Sequence, residues 1–209
     1  MFKLIDLTRP LSPETLSYPG SSKALGIAQI DMGDPECMVS QLTHLDLHAG
    51  THMDAPLHFA PGGKGLLDLG LQLLPVVIVR VQGAEIGANQ IPSEIAGSAV
   101  LFDCRWPHET SDPNYFLEYP TLTESAAQAL IDRQAALAGF DTPSPDPVSP
   151  PDYRTHRMLL RAGIPIVEGL TNLSTLPDDG QGIWFAAFPL AVAGVEGASV
   201  RAVVLQPRK

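Results

Sequence analysis

Between His44 and His58 this chain places four of its six histidines, at positions 44, 48, 52 and 58, with Asp46 and Asp54 between them. The densest stretch reads His48-Ala49-Gly50-Thr51-His52-Met53-Asp54-Ala55-Pro56-Leu57-His58. A helix cannot gather His48, His52 and Asp54 on one side: residues four apart share a face, but the step of two from His52 to Asp54 turns about 200° away. Gly50 and Pro56 oppose a helix as well, one through its entropy and the other through its missing N–H. The segment is therefore extended or looped. Extended backbone sends residues of equal parity to one side, and His48, His52, Asp54 and His58 are all even-numbered. Gly50 lets the chain bend so that the first two imidazoles tilt toward a common ion.

Neutral imidazole nitrogens with a carboxylate oxygen form the mixed donor set that suits zinc, and manganese is the other metal this set accepts. Any one of these histidines alone reads as a solvated loop residue; four together read as a metal site. The helical His-Glu-x-x-His pattern is absent because Ala49 stands where its glutamate would be, which excludes a metalloprotease of that type.

A chain of 209 residues can bury a full core in one domain, and the expected organisation is a single domain over residues 1–209. The formal net charge of −10 argues against nucleic acid and against an anionic membrane as partners, since both require a basic face. Near the amino end, Asp6 and Arg9 interrupt the apolar run that a signal peptide needs, and no stretch approaches the roughly 20 apolar residues of a membrane span. Cys37 and Cys104 are too few for a disulfide framework. A reducing cytoplasm is the compartment expected. Asn172-Leu173-Ser174 fits the glycosylation pattern by chance.

Strand-like runs cover Lys3–Leu7, Val39–Leu47, Val76–Val81, Ala99–Asp103, Ile164–Val167, Ile183–Phe188 and Val200–Leu205. The runs at 76–81 and 200–205 are nearly continuous in aliphatic residues, as in strands covered on both faces. Thr121 and Glu124 have capping-box spacing and predict a helix through Ala126, Leu130 and Ala138 to Gly139. A second helix is expected from about Asp152 to Ala162 with Gly163 as its stop, and a short one from Pro92. Trp106–Pro120 and Thr142–Pro151 are Pro-rich loops, the first carrying enough aromatics to be either a lid or a loop pinned by its own rings. Gly62-Gly63-Lys64-Gly65 lacks phosphate-loop spacing and reads as a turn. Together these elements predict an α/β fold with mixed sheets and few helices.

His156 and Glu168 are distant in sequence, but helix and strand geometry returns one to the other. The helix advances about 10 Å from His156 to Ala162. Gly163 then reverses the chain, and the next strand returns by about 13 Å. Taken from spacing alone, a lone helical histidine and a strand-end glutamate are usually surface residues; the geometry only allows them to meet.

The chain resembles the metal-dependent cyclase-like hydrolases that include bacterial kynurenine formamidase (arylformamidase). The segment from His48 to Phe59 fits the family signature His-x-Gly-Thr-His-x-Asp-x-Pro-x-His at every fixed position. Supporting similarities are Asp6-Leu7-Thr8, Tyr18-Pro19-Gly20, Gly139-Phe140-Asp141-Thr142-Pro143-Ser144, and His156 with Glu168-Gly169-Leu170, so the likeness spans nearly the whole chain. The resemblance implies a swivelling β/β/α domain assembled as a homodimer or larger homo-oligomer. It implies one ion on His48, His52 and Asp54, a second reached by Asp54 and completed by His156 and Glu168, His58 as acid/base, and Tyr18 lining the substrate pocket. Departures from the formamidase pattern are Tyr18 where Trp is typical and Phe59 where Tyr is frequent.

The implied activity is hydrolysis of a small-molecule amide, N-formyl-L-kynurenine to L-kynurenine and formate in tryptophan degradation. Zinc lowers the pKa of bound water to about 7 and so provides hydroxide without a serine or cysteine nucleophile, in keeping with the absence of Gly-x-Ser-x-Gly. His58, with an ordinary pKa near 6.5, suits a group that takes a proton and returns it to the leaving nitrogen; a role as ligand stays open. His44 and Asp46 read as polar strand residues or as groups orienting an imidazole. The competing activities are opening of the lactam of isatin on the same ions, and metal binding without turnover.

Overall fold

The computed structural model describes residues 1–148, 152–178 and 180–208; the last three residues of the expected Thr142–Pro151 loop lie outside them. Among the described residues, seven strands form a closed ring. β4 (His52–Asp54) pairs antiparallel with β10 (Ile166–Glu168) on one side and with β12 (Gly197–Pro207) on the other. Between those two the sheet runs β12, β11 (Trp184–Pro189), β5 (Leu74–Arg80), β7 (Ala99–Asp103), β9 (Leu137–Phe140) and β10. β1 (Phe2–Asp6) is attached outside the ring, antiparallel to the C-terminal half of β12. The parallel set β5, β7, β9 and β10 makes this a mixed sheet, as the α/β reading expects.

Alternation along the strands builds two cores. Ala99 and Leu101 of β7 join Met53, Val76, Ile78, Val167, Ala198, Val200 and Val204 inside the ring, while Val100 and Phe102 point outward to pack with Phe140, Ile166 and the helices. Those helices are α1 (Glu124–Asp132), which buries Ala126, Ala127 and Leu130, and α2 (Arg154–Arg161), which buries Leu159 and Leu160. The Phe102 and Phe140 rings stack at 4.7 Å in this outer core.

Several expectations are corrected. Thr123, not Thr121, caps α1: its side chain accepts from the Ala126 N–H, while Thr121–Leu122 is a short strand, β8, paired with β6 (Glu85–Ile86). The helix stops at Asp132 rather than Gly139, because Gln134 adopts a left-handed conformation and Leu137–Phe140 is the central strand β9. No helix starts at Pro92; a single 3-10 turn precedes it at Ala88–Gln90. The run 200–205 is covered on one face only, for Val203 and Leu205 lie on an open apolar surface with Leu4 and Phe188. An unpredicted strand β2 (Leu25–Asp31) pairs with β3 (Met38–Leu45) as a separate two-stranded hairpin. α2 and its Gly163 stop are as expected, and no helix among the described residues is long and apolar enough to cross a membrane.

Candidate metal centre

β4 places its side chains by parity. Met53 points into the ring, and His52 and Asp54 point the other way, toward α2. In the antiparallel register with β10, Glu168 stands directly opposite His52, on the same face. The chain enters β4 through a close crossing in which a Cβ on Gly169 would lie 2.6 Å from the Gly50 carbonyl oxygen. Gly169 also has φ +65°, so only glycine serves at this point. Thr51 fastens the crossing by donating to Gly169 O at 2.6 Å.

Five side chains converge above this strand pair. His48 Nδ1 lies 2.9 Å from Asp54 Oδ1 and His52 Nε2 lies 3.6 Å from the same oxygen. His52 Nε2 is 3.2 Å from Glu168 Oε2, and His156 Nε2 is 3.1 Å from Glu168 Oε1 and 3.5 Å from Asp54 Oδ2. The structure thus brings together all five of the residues expected to hold metal. Their grouping differs from the expected partition: His52 is nearer Glu168 than Asp54, and a second cluster within ligand reach is His48, Asp54 and His58.

The donor set fits a cation. Asp54 Oδ1 and Glu168 Oε1 are buried and accept no hydrogen bond of proper geometry, although imidazole nitrogens lie 2.9 and 3.1 Å from them. A buried carboxylate oxygen without a partner is costly, and a nitrogen close to it but off the hydrogen-bond line is the arrangement of two lone pairs aimed at a shared third atom. A divalent ion there would satisfy both.

Without a cation the same groups must share protons. Burial opposes charge on every one of them. Even so, Asp54 holds His48 up to about 9, and Asp146, Asp54 and Glu168 raise His156 well above its ordinary value. Burial likewise opposes the ionised carboxylates, yet the neighbouring imidazoles keep Asp54 and Glu168 below the usual carboxylate range. His58 behaves oppositely: burial, with His48 and His156 beside it, lowers its pKa, so it is neutral at pH 7. Its ring packs 4.5 Å from that of His48.

Sequence reasoning passed over Asp146. This buried carboxylate accepts the His156 Nδ1–H at 2.6 Å, the His156 N–H at 3.1 Å and the Thr155 N–H at 3.1 Å. It therefore orients the His156 ring and serves as the N-terminal cap that Tyr153 does not provide to α2. Asp46 takes the backbone N–H of His48 at 3.0 Å, so it fixes the turn rather than an imidazole, and His44 is exposed on β3.

Above the cluster opens a cavity of about 330 Å³ walled by Tyr18, Phe59, Tyr115, Phe116 and Tyr153, with no Lys or Arg lining it among the described residues. Tyr18 meets Phe116 edge-on at 5.6 Å. The 106–120 loop supplies Tyr115 and Phe116 to this wall. It is also held by its own contacts, Trp106 against Tyr119 and the Tyr119 hydroxyl on the Asp146 carbonyl.

Residues 5–147 match the sequence profile of a family described as putative cyclase. A kynurenine formamidase of Bacillus mycoides (strain KBAB4) is 31% identical over 206 residues, covering 96% of each chain. Among solved structures, a predicted metal-dependent hydrolase from Bacillus stearothermophilus has a TM-score of 0.80 at 26% identity over 99% of this chain and 100% of that one. An isatin hydrolase bound to the product analogue thioisatinate has a TM-score of 0.84 at 24% identity over 99% and 93%, and so shares the fold.

Proposed function

This chain belongs to the putative cyclase family, and we propose that it hydrolyses N-formyl-L-kynurenine to L-kynurenine and formate with divalent metal held by His48, His52, Asp54, His156 and Glu168. The observation that carries this reading is the pair of unpartnered buried carboxylate oxygens at the floor of an aromatic-walled cavity. The curated formamidase relatives, aligned over nearly their whole length, supply the substrate.

Bound zinc, or manganese in its place, supplies acidified water and a Lewis acid for the scissile carbonyl. The chain's own residues do the rest. Phe59, Tyr115, Phe116 and Tyr153, with Tyr18, receive the aryl ring, exclude water and orient the formyl group toward the floor. His58, neutral and beside His48, takes a proton from water through its free ring nitrogen and returns it to the aniline nitrogen as the C–N bond breaks.

A second reading, opening of the lactam of isatin, is favoured by one feature: apart from the histidines of the cluster, none of the described lining residues is a Lys or Arg that could meet the α-carboxylate of an amino-acid substrate. Protein purified without chelator, assayed against N-formylkynurenine, isatin and formanilide with its metal content measured, separates the two. Turnover of N-formylkynurenine with bound zinc is expected; turnover of lactam alone overturns the substrate, and bound metal without any turnover overturns the enzyme.

We assign the protein to a homo-oligomer in the cytoplasm. Ile27, Ile30, Met32, Met38, Val39 and Leu42 are exposed on the β2–β3 hairpin, and isolated two-stranded sheets are marginal in water, which supports their burial against another copy. Cys37 and Cys104 are both free thiols, in keeping with a reducing compartment.

A further inference from the structure

Each of the three clustered imidazoles has one nitrogen facing the carboxylates and the other facing outward. His52 turns Nε2 inward and its Nδ1 to the Gly50 carbonyl at 3.0 Å; His156 turns Nε2 inward and its Nδ1 to Asp146 at 2.6 Å. An outer acceptor takes the single N–H of a neutral imidazole and leaves the lone pair on the inner nitrogen, where a cation can use it. His48 is mounted the other way round, with Nδ1 inward 2.9 Å from Asp54 Oδ1 and Nε2 outward 3.3 Å from Glu196 Oε1.

The outer acceptors differ in kind. Gly50 O is backbone, and Asp146 is buried and held by three N–H donors, so neither can turn away. Glu196 is a side chain still 39% exposed, on the approach to β12. As the neutral ligand a cation requires, His48 keeps one ring proton and has a carboxylate beside each nitrogen, Asp54 at Nδ1 and Glu196 at Nε2. If Asp54 takes the proton, it occupies the space where a cation would bind; if Glu196 takes it, the lone pair of Nδ1 faces that space.

Where the ring lies is settled separately. A Cβ on Gly197 would fall 2.6 Å from His48 Cε1, so the imidazole rests against the β12 backbone at this glycine whichever nitrogen is protonated. Asp46 fixes the backbone beneath it. Ring position and ring tautomer are under different residues.

We propose that Glu196 is a positioning residue which holds His48 in its Nε2–H tautomer, directs the Nδ1 lone pair to the cation position beside Asp54, and so sets the strength of that position alone. The proposal rests on the metal-centre reading above. The second position, between His156 and Glu168, has its tautomer fixed by Asp146 and is indifferent to Glu196.

Zinc titration of chelator-stripped protein against a competing fluorescent chelator, with long-range ¹H–¹⁵N spectra of the histidine rings in the zinc-loaded state, tests this on the parent, Glu196→Ala and Glu196→Gln. The Ala variant is expected to weaken one zinc step by about 10- to 100-fold, to leave the other unchanged, and to lose the Nε2–H, Nδ1-bound signature of His48. The Gln variant keeps an acceptor oxygen at the same reach and is expected to retain the signature and most of the affinity. Two unchanged zinc steps in Glu196→Ala, or equal weakening of both, overturn the proposal while leaving the metal centre standing. A parent that binds no zinc overturns the metal-centre reading and the proposal with it.

Discussion

The two halves of the proposed metal centre are built in opposite ways. His48, His52, Asp54 and His58 come from eleven consecutive residues, whereas His156 and Glu168 are delivered by a helix and a strand about a hundred residues later. The contiguous half contains the open member: the His48 side chain is 24% exposed and leans on a surface glutamate, while His52 and Asp54 beside it, and His156 locked by buried Asp146, are each 6% exposed or less. Proximity in sequence gives density of ligands, and depth in the fold gives fixed orientation.

The difference is broken most completely at Asp54, whose two oxygens face opposite halves, Oδ1 toward His48 and Oδ2 toward His156. Asp54→Ala is expected to lose metal at both positions, and kcat/KM should fall by roughly 10⁴-fold or more. Metal analysis showing one ion retained at full strength would mean the halves are independent.

His58→Ala touches the contiguous half alone. A loss of about 10²- to 10⁴-fold in kcat with metal content unchanged is expected for a proton shuttle, and loss of metal instead would make His58 a ligand.

Asp146→Ala probes the long-range half. Zinc affinity is expected to fall by about 10- to 100-fold, and the metal-free protein should also lose about 1 kcal/mol of stability in urea, since the same carboxylate caps α2. Unchanged zinc affinity with reduced stability would leave it the cap alone.

The smallest effect is on pH. With no cation present Asp54 holds His48 at about 9 against the opposition of burial, so at pH 7 this imidazole carries a proton that metal must displace. Affinity should rise with pH up to about 9, with proton release on binding measurable by calorimetry in buffers of different ionisation enthalpy. A pH-independent affinity across that range would contradict the sharing of protons described here.

Much of this centre was legible in the chain. The alternation of His52 and Asp54 around Met53 follows from strand parity, and the return of Glu168 to His156 follows from helix rise and strand rise around Gly163. Asp146 was hidden because it lies in a Pro-rich loop with no period to place it. Glu196 was hidden because its partner is 148 residues away and nothing local links them. In the fold, β9 was misread because Leu137, Ala138 and Gly139 continue the apolar spacing of α1. The break at Gln134 takes a left-handed turn without glycine or proline to mark it. β2 escaped notice because Leu25–Asp31 is exposed along most of its length and so lacks a buried pattern.

The strand that closes the ring is only three residues long, and its two neighbours are drawn from the last quarter of the chain. A polypeptide leaving the ribosome therefore displays the entire histidine motif long before any cage exists to hold an ion. Tight metal capture is then expected only after β10 and β12 have been made and paired with β4, and a product truncated before them, however rich in imidazole, should neither scavenge zinc tightly nor turn over substrate.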